Sequence, residues 1–285
     1  MSRIAYVNGA YVPHREASVH IEDRGYQFAD GIYEVLYVHE GRFIDADLHL
    51  DRLERSLREL RIEPPLARAP LLAVLTEVLR RSRRRNGLLY MQITRGVSKR
   101  EHGFPPPGTR PSLVVTLHRA LDIPDSLDDW TTTAITMPDD RWARCDIKST
   151  SLLPNILARQ AAREQGATEA ILYDAGGMIT EGASTSVWIV DADGTLRTRP
   201  LSNAILPGCT RAALIGELAA GNIAFEERAF SRDELGRARE IFLTSATSFV
   251  KPVLSLDGAP VGDGRIGPVS KRLFALFARH VKGNS

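Results

Sequence analysis

One polar stretch does most to limit what this chain of 285 residues can fold into. It reads Ala120-Leu121-Asp122-Ile123-Pro124-Asp125-Ser126-Leu127-Asp128-Asp129, with apolar-periodic sequence on both sides. Such a shift in composition marks a linker. We therefore expect a small domain over residues 1–119, a linker over 120–128 and a larger domain over 129–285. A hydrophobic content of 43% and a charged content of 25% are ordinary for a globular chain. The net charge of +2 gives no steer toward nucleic acid or membrane. No apolar run is long enough to span a bilayer, and Met1-Ser2-Arg3-Ile4-Ala5-Tyr6 enters a strand pattern at once, without a signal-peptide pattern. Cys145 and Cys209 are the only cysteines, and seven histidines are scattered. Neither a disulfide framework nor a metal site can be built from these, so a reducing cytoplasm is the expected compartment.

Local patterns then give the order of elements. Ile4 to Val12 reads as a hairpin turned by Asn8-Gly9, where both residues can take positive φ. Gly31 to Val38 is a strand, preceded by a polar, glycine-bounded loop from Glu22 to Asp30. Leu50, Leu53, Leu57 and Leu60 recur at spacings of three and four, which predicts a helix from about Asp47 with Arg52 on its other side. A second helix is expected over Ala69 to Arg85, with Leu72, Leu75 and Leu79 buried. Strands follow at 88–95 and 112–117, joined by a long loop that carries Arg100 and His102 two residues apart. Residues two apart in an extended loop face the same way, and a guanidinium beside an imidazole suits a carboxylate; a solvated surface loop fits the spacing equally. Beyond the linker come a strand at 131–137 and helices opening at Pro154, Ala212 and Pro268, with strands between them. The overall class is α+β or mixed α/β.

Lys148 is the first candidate for chemistry. The chain holds 37 basic residues but only five lysines, so arginine carries almost all of the positive charge. A lysine amine can lose a proton and attack a carbonyl, which arginine cannot do, and a Schiff base with pyridoxal is the commonest use of that property. The position, at a strand end after Ile147, also suits a structural lysine. Glu181 lies in a neutral, strand-forming run; a carboxylate buried there needs a partner, and a protonated ring nitrogen would serve. Gly208-Cys209-Thr210 leads into a helix, and Thr244-Ser245-Ala246-Thr247-Ser248 is a hydroxyl-rich turn; both suit an anion. The run Arg80 to Arg85 leaves open a basic nucleic-acid-binding module, but cations also complement a helix C-terminus and no aromatic residue is interleaved. No Walker loop and no Gly-x-Gly-x-x-Gly is present.

Taken in order, several stretches resemble the fold-type IV pyridoxal-phosphate transaminases, and most closely their bacterial D-amino acid branch. They are Glu22 to Phe28, Gly31 to Val35, His49 to Leu53, Thr94-Arg95-Gly96, Arg100-Glu101-His102, Arg141 to Ser149, Thr180 to Ser184, Gly208 to Arg211 and Thr244 to Ser248. The resemblance implies a two-domain enzyme, with a small α/β N-terminal domain and a larger C-terminal domain of barrel-like sheets and helices. It implies pyridoxal 5'-phosphate on Lys148, with Glu181 at the pyridine nitrogen. Arg52, Cys209, Thr210, Ser245 and Ala246 would hold the phosphate. Tyr33, Arg100, His102 and Ser184 would meet the substrate, with Arg100 and His102 contributed by a second subunit, so a homodimer with shared active sites is expected. The implied reaction moves the amino group of a D-amino acid, such as D-alanine or D-glutamate, to 2-oxoglutarate or pyruvate. An L-branched-chain transaminase and an aminodeoxychorismate lyase are the alternatives on the same fold; the branched-chain enzymes lack the Arg-x-His loop. Two positions depart from the family pattern: Ala246 stands where a threonine is usual, and Phe249 where glutamate is frequent.

Overall fold

The computed structural model describes residues 3–120, 122–221 and 223–283. Met1 and Ser2 of the expected first segment and Leu121 of the expected linker lie outside the described residues. The chain divides into two compact units: Met1–Asp122 with Ile147–Ser151, and Ile123–Asp146 with Leu152–Ser285.

The first unit contains strands β1 (Ile4–Val7), β2 (Ala10–Pro13), β3 (Gly31–His39), β4 (Arg42–Phe43), β5 (Gly87–Thr94) and β6 (Ser112–His118), with helices α1 (Arg24–Phe28), α2 (Ala46–Leu60) and α3 (Arg68–Ser82). Its sheet runs β2-β1-β6-β5-β3-β4, with antiparallel neighbours throughout. The β1–β2 turn has Asn8 at φ 47° and Gly9 at φ 103°, the positive pair that a two-residue hairpin requires. Along β3 the even-numbered residues Ile32, Glu34, Leu36 and Val38 are buried, as the period of two dictates. Against them pack Leu50, Leu53 and Leu57 of α2 and Leu71, Leu75, Val78 and Leu79 of α3. Leu71, rather than the expected Leu72, turns fully inward, and α3 ends at Ser82, short of the expected Arg85. Arg80 and Arg81 both pair with Glu77, so part of the basic run is neutralised on its own helix.

The second unit carries β7 (Thr132–Pro138), α4 (Leu153–Glu164), β8 (Glu169–Tyr173), β9 (Ile179–Gly182), β10 (Ser186–Val190), β11 (Leu196–Thr198), α5 (Cys209–Ala220), β12 (Glu226–Glu227), α6 (Arg232–Gly236), β13 (Glu240–Ser245), β14 (Phe249–Leu256), β15 (Ala259–Pro260) and α7 (Pro268–Lys282). Its sheet runs β12-β11-β10-β13-β14-β7-β8-β9, with β15 on β14. Strands β14, β7 and β8 are parallel, and α4 lies on the β7-to-β8 crossover that a parallel pair needs. Apolar clusters of the unit include one around Ile171, Ile189, Phe230 and Leu243 and another around Ile135, Ala162 and Leu172. No helix among the described residues is long and apolar enough to cross a membrane.

On that same crossover the chain joins the first unit for residues Ile147–Ser151. Lys148, expected within 129–285, is therefore packed with the first unit, and backbone bonding is the reason. The Tyr33 N–H donates to the Lys148 carbonyl at 3.1 Å, and the Thr150 N–H donates to the Gly31 carbonyl at 3.0 Å. Ile147 belongs to the core of that unit.

The start of α7 depends on a side chain from elsewhere in its unit. Gly267 offers no cap, but the buried Glu240 carboxylate accepts from the Val269 and Ser270 N–H groups at 3.0 and 2.8 Å. Negative charge there also meets the positive end of the helix dipole. Glu240→Ala should lower the unfolding free energy by about 1–3 kcal/mol, measured by urea denaturation, because it strips the Val269 N–H and the Ser270 N–H and hydroxyl of their acceptor.

Candidate active site

In the first unit, alternation along β3 sends neighbouring residues to opposite faces. Tyr33 points away from the helices, and Lys148 lies with it: the Lys148 Nζ donates to the Tyr33 Oη at 3.4 Å and sits 4.4 Å from the ring centroid. Tyr33 in turn stacks on Tyr90 of β5, with centroids 5.8 Å apart and planes inclined by 28°. Burial, reinforced by the neighbouring Tyr33, pushes the Tyr90 phenol up to about 12. The Lys148 N–H donates to the Ser56 hydroxyl at 3.3 Å. A phenol hydroxyl, rather than a carboxylate, thus orients the Lys148 amine within this unit.

Glu34, one residue on, points into the core with no exposure. There it accepts from Arg52 through Nε and Nη2, both at 2.7 Å, and from the His49 Nδ1 at 2.7 Å. His49 and Arg52 are three apart on α2 and so share a helix face. The expectation that Arg52 lies on the far side of the helix from the leucines is corrected here: Arg52 is buried, drawn inward by the Glu34 carboxylate. Burial alone would raise the Glu34 pKa, but the Arg52 guanidinium and the His49 bond outweigh it and hold the carboxyl at about 2.

The loop with Arg100 and His102 is anchored by backbone. Buried Arg24 donates to the carbonyls of Glu101 at 2.6 Å and His102 at 3.5 Å, and to Asp30 at 2.8 Å. The guanidiniums of Arg24 and Arg100 both lie over the Phe28 ring, at 4.9 and 4.6 Å, and the His102 ring is 5.5 Å from it. Gly96 opens the loop at φ 99°, where a Cβ would strike the Arg110 carbonyl. Arg100 and His102 themselves remain exposed and share this aromatic neighbour.

In the second unit, Glu181 is buried within β9, and the partner that its burial demands is Arg141. Its other oxygen accepts from the Leu206 N–H at 3.1 Å. Arg141 also grips Asp139 with Nε at 2.9 Å and Nη2 at 2.7 Å, and the Thr180 hydroxyl donates to Asp139 at 2.6 Å. Burial works against the Arg141 charge, but the bonds to Asp139 and the Glu181 charge more than compensate and raise its pKa. Nearby, burial pushes the Cys145 thiol up to about 11. Ser184 is tied to Glu169, which accepts from it at 3.3 Å, while Arg159 donates to Ser184 at 3.1 Å.

Cys209 and Thr210 open α5 and are buried, behind Gly208, which has no side chain to cap the helix. A Cβ at Gly208 would lie 2.8 Å from the Ser186 hydroxyl, and Ser186 is paired with Thr244 across β10 and β13. The start of α5 and the end of β13, where Ser245 is the last residue and Ala246 follows, are therefore neighbours. First-turn N–H groups without a side-chain cap, the Thr210 hydroxyl and a hydroxyl-rich turn together make a donor set that fits a phosphate ester. The buried carboxylate of Glu181, held at both oxygens, fits a protonated ring nitrogen. Among the described residues no cluster of His, Cys, Asp and Glu could hold a metal ion.

Glu34, His49 and Arg141 carry no role in the sequence-based expectations. For Glu34 a signal is present, since its even register in β3 matches the buried Ile32 and Leu36. Arg141 lies in an irregular segment, where no period marks it.

The Amino-transferase class IV family description matches residues 31–256. The chain belongs to this family. This class IV aminotransferase is 37% identical over 281 residues to the D-alanine aminotransferase of Staphylococcus haemolyticus, covering 98% of each chain. It is 39% identical over 267 residues to the D-alanine aminotransferase of Bacillus licheniformis, covering 93% of each. Among solved structures, the branched-chain amino acid aminotransferase from Escherichia coli is similar at a TM-score of 0.89 and 25% identity, over 100% of this chain and 96% of that one. A T.th. branched-chain amino acid aminotransferase complexed with N-(5'-phosphopyridoxyl)-L-glutamate is similar at a TM-score of 0.88 and 26% identity, over 100% and 95%.

The Glu34 cluster predicts an acid transition. With the folded pKa at about 2 and an ordinary value of 4.5, ionised Glu34 stabilises the fold above pH 4.5. That contribution, on the order of 3 kcal/mol, is lost as pH falls toward 2. Stability measured by urea denaturation should fall across that window, and Glu34→Gln should flatten the fall. The same substitution should cost about 3–5 kcal/mol at pH 7, because it strips the buried Arg52 of its counter-charge.

Proposed function

We propose that this class IV aminotransferase moves the amino group of a D-amino acid, with D-alanine and D-glutamate foremost, to a 2-oxo acid such as 2-oxoglutarate or pyruvate, using pyridoxal 5'-phosphate. The observation that carries the reading is the Lys148 amine, oriented by the Tyr33 hydroxyl at 3.4 Å, in a chain similar along almost its whole length to proteins named D-alanine aminotransferase. When bound, the cofactor supplies an electron sink for the bond broken at the substrate Cα. Lys148 is the residue that would bind it covalently and afterwards take and return the proton at Cα through Nζ. Tyr33 aims that amine. Glu181 would hold the proton on the ring nitrogen, and its bonds from Arg141 and the Leu206 N–H fix the carboxylate for the task. Thr210, Cys209, Ser245 and Ala246 would bind the phosphate together with Arg52, which Glu34 and His49 hold in one rotamer.

Arg100 and His102 would receive the substrate carboxylate, with Tyr33 and Ser184 completing the substrate contacts. A guanidinium and an imidazole on one anchored loop suit a carboxylate by charge and by hydrogen bonding. In the resembling family this loop serves the neighbouring subunit, so a homodimer with shared sites is part of the proposal, with the cytoplasm as its compartment. The branched-chain reading is weaker: the two solved branched-chain enzymes named above are 25–26% identical to this chain, against 37–39% for the two D-alanine aminotransferases named with them.

Two substitutions test these roles. Lys148→Ala should abolish the visible absorption band of the bound cofactor and reduce turnover by at least about 10²-fold. Retention of both by a folded variant would remove Lys148 from the mechanism. Arg100→Ala should raise KM for D-alanine roughly 10- to 100-fold while cofactor affinity stays unchanged. An unaltered KM would exclude a carboxylate role.

A further inference from the structure

The turn that follows β13 departs from the family pattern at Ala246 and Phe249, and its surroundings show what holds it. Ser245 is paired with Phe249, leaving Ala246, Thr247 and Ser248 as the loop. The left-handed conformation that glycine adopts most easily falls on the first residue after the loop. That residue is Phe249, at φ 54° and 3% exposed. A bulky residue persists in that conformation only where its neighbours over-determine it. The Phe249 ring stacks on Trp130 with centroids 6.4 Å apart and planes inclined by 26°, and lies 5.9 Å from Phe277. The indole N–H of Trp130 donates to the Ser248 carbonyl at 2.9 Å. One buried residue thus grips the turn twice, by its face against Phe249 and by its N–H on the preceding carbonyl. Inside the turn, the Ser245 hydroxyl accepts from the Thr247 and Ser248 N–H groups at 3.3 and 3.2 Å. The Ala246 N–H takes no part in these bonds.

We propose that Trp130 and Phe249 are positioning residues, an aromatic latch that holds this turn so that the Ala246 N–H serves a phosphate ester in place of the threonine hydroxyl missing at that position. The proposal rests on the reading of the turn as part of the phosphate site. Glutamate, frequent at 249 in the resembling family, could not stack on Trp130 in this way, so the two aromatic residues form one device. Their effect falls on the phosphate end of the cofactor and leaves the carbonyl end to Lys148.

The test compares pyridoxal 5'-phosphate with pyridoxal, which lacks the phosphate, by absorbance titration of the apo-protein. Trp130→Phe keeps a six-membered ring against Phe249 and removes the N–H together with the pyrrole part of the indole. It should weaken pyridoxal 5'-phosphate about tenfold, leave pyridoxal unchanged and keep the thermal midpoint within about 3 °C. Ala246→Thr in the Trp130→Phe background should restore most of the lost affinity. Equal pyridoxal 5'-phosphate affinity in Trp130→Phe and the unsubstituted protein would overturn the latch, as would equal loss for both ligands, which marks a merely structural role. If the unsubstituted protein binds pyridoxal 5'-phosphate no better than pyridoxal, the phosphate reading itself is wrong and the latch falls with it.

Discussion

The backbone pairing of residues 148–150 against the start of β3 is the constraint on which the catalytic arrangement depends. It brings a segment from later in the chain into the first unit and fixes Lys148 through its main chain before its side chain makes any contact. The register also decides which face of β3 the amine meets. A shift by one residue would exchange Tyr33 for Glu34, replacing a phenol with a buried carboxylate already committed to Arg52. Alternation along a single strand thus separates two settings: the Lys148 amine on one face and a fixed ion pair in the core on the other.

Charge in this chain mostly holds things still. Arg24 with Asp30 anchors the loop of Arg100 and His102, Glu34 locks Arg52, and Arg141 with Asp139 flanks Glu181. Each group is buried or nearly so, and each is bonded at two or more atoms, which is the condition under which buried ions are tolerated. A guanidinium can bridge two carboxylates, or a carboxylate and a backbone carbonyl, in a fixed plane, and a lysine amine cannot. A lysine amine, in contrast, can lose a proton, which is what the role proposed for Lys148 requires.

Much of the fold is legible in the sequence because its signals are local. The Asn8-Gly9 hairpin, the alternation in β3 and the leucine spacing of α2 each rest on a few neighbouring residues. Lys148 stands out by composition, and the Arg100–His102 loop by spacing. The unit to which Lys148 belongs is not legible, because residues 147–151 join the first unit through bonds to β3, far away in the chain. The setting of Arg52 escapes periodicity for a related reason. Helical periodicity sorts residues by apolarity, and a buried guanidinium breaks that rule when a carboxylate such as Glu34 waits in the core. Arg141 and Trp130 lie in irregular segments or at strand edges, where only three-dimensional neighbours reveal what they hold.

Loop chemistry and whole-length likeness together favour D-amino acids as the substrates of this class IV aminotransferase. The most direct measurement is a paired assay of the purified protein with D-alanine and with L-alanine, each with 2-oxoglutarate, following pyruvate release. D-alanine should turn over, with L-alanine slower by roughly 100-fold or more. Turnover of L-alanine at a rate equal to or above that of D-alanine, or no pyruvate from D-alanine, would contradict the D-amino acid assignment.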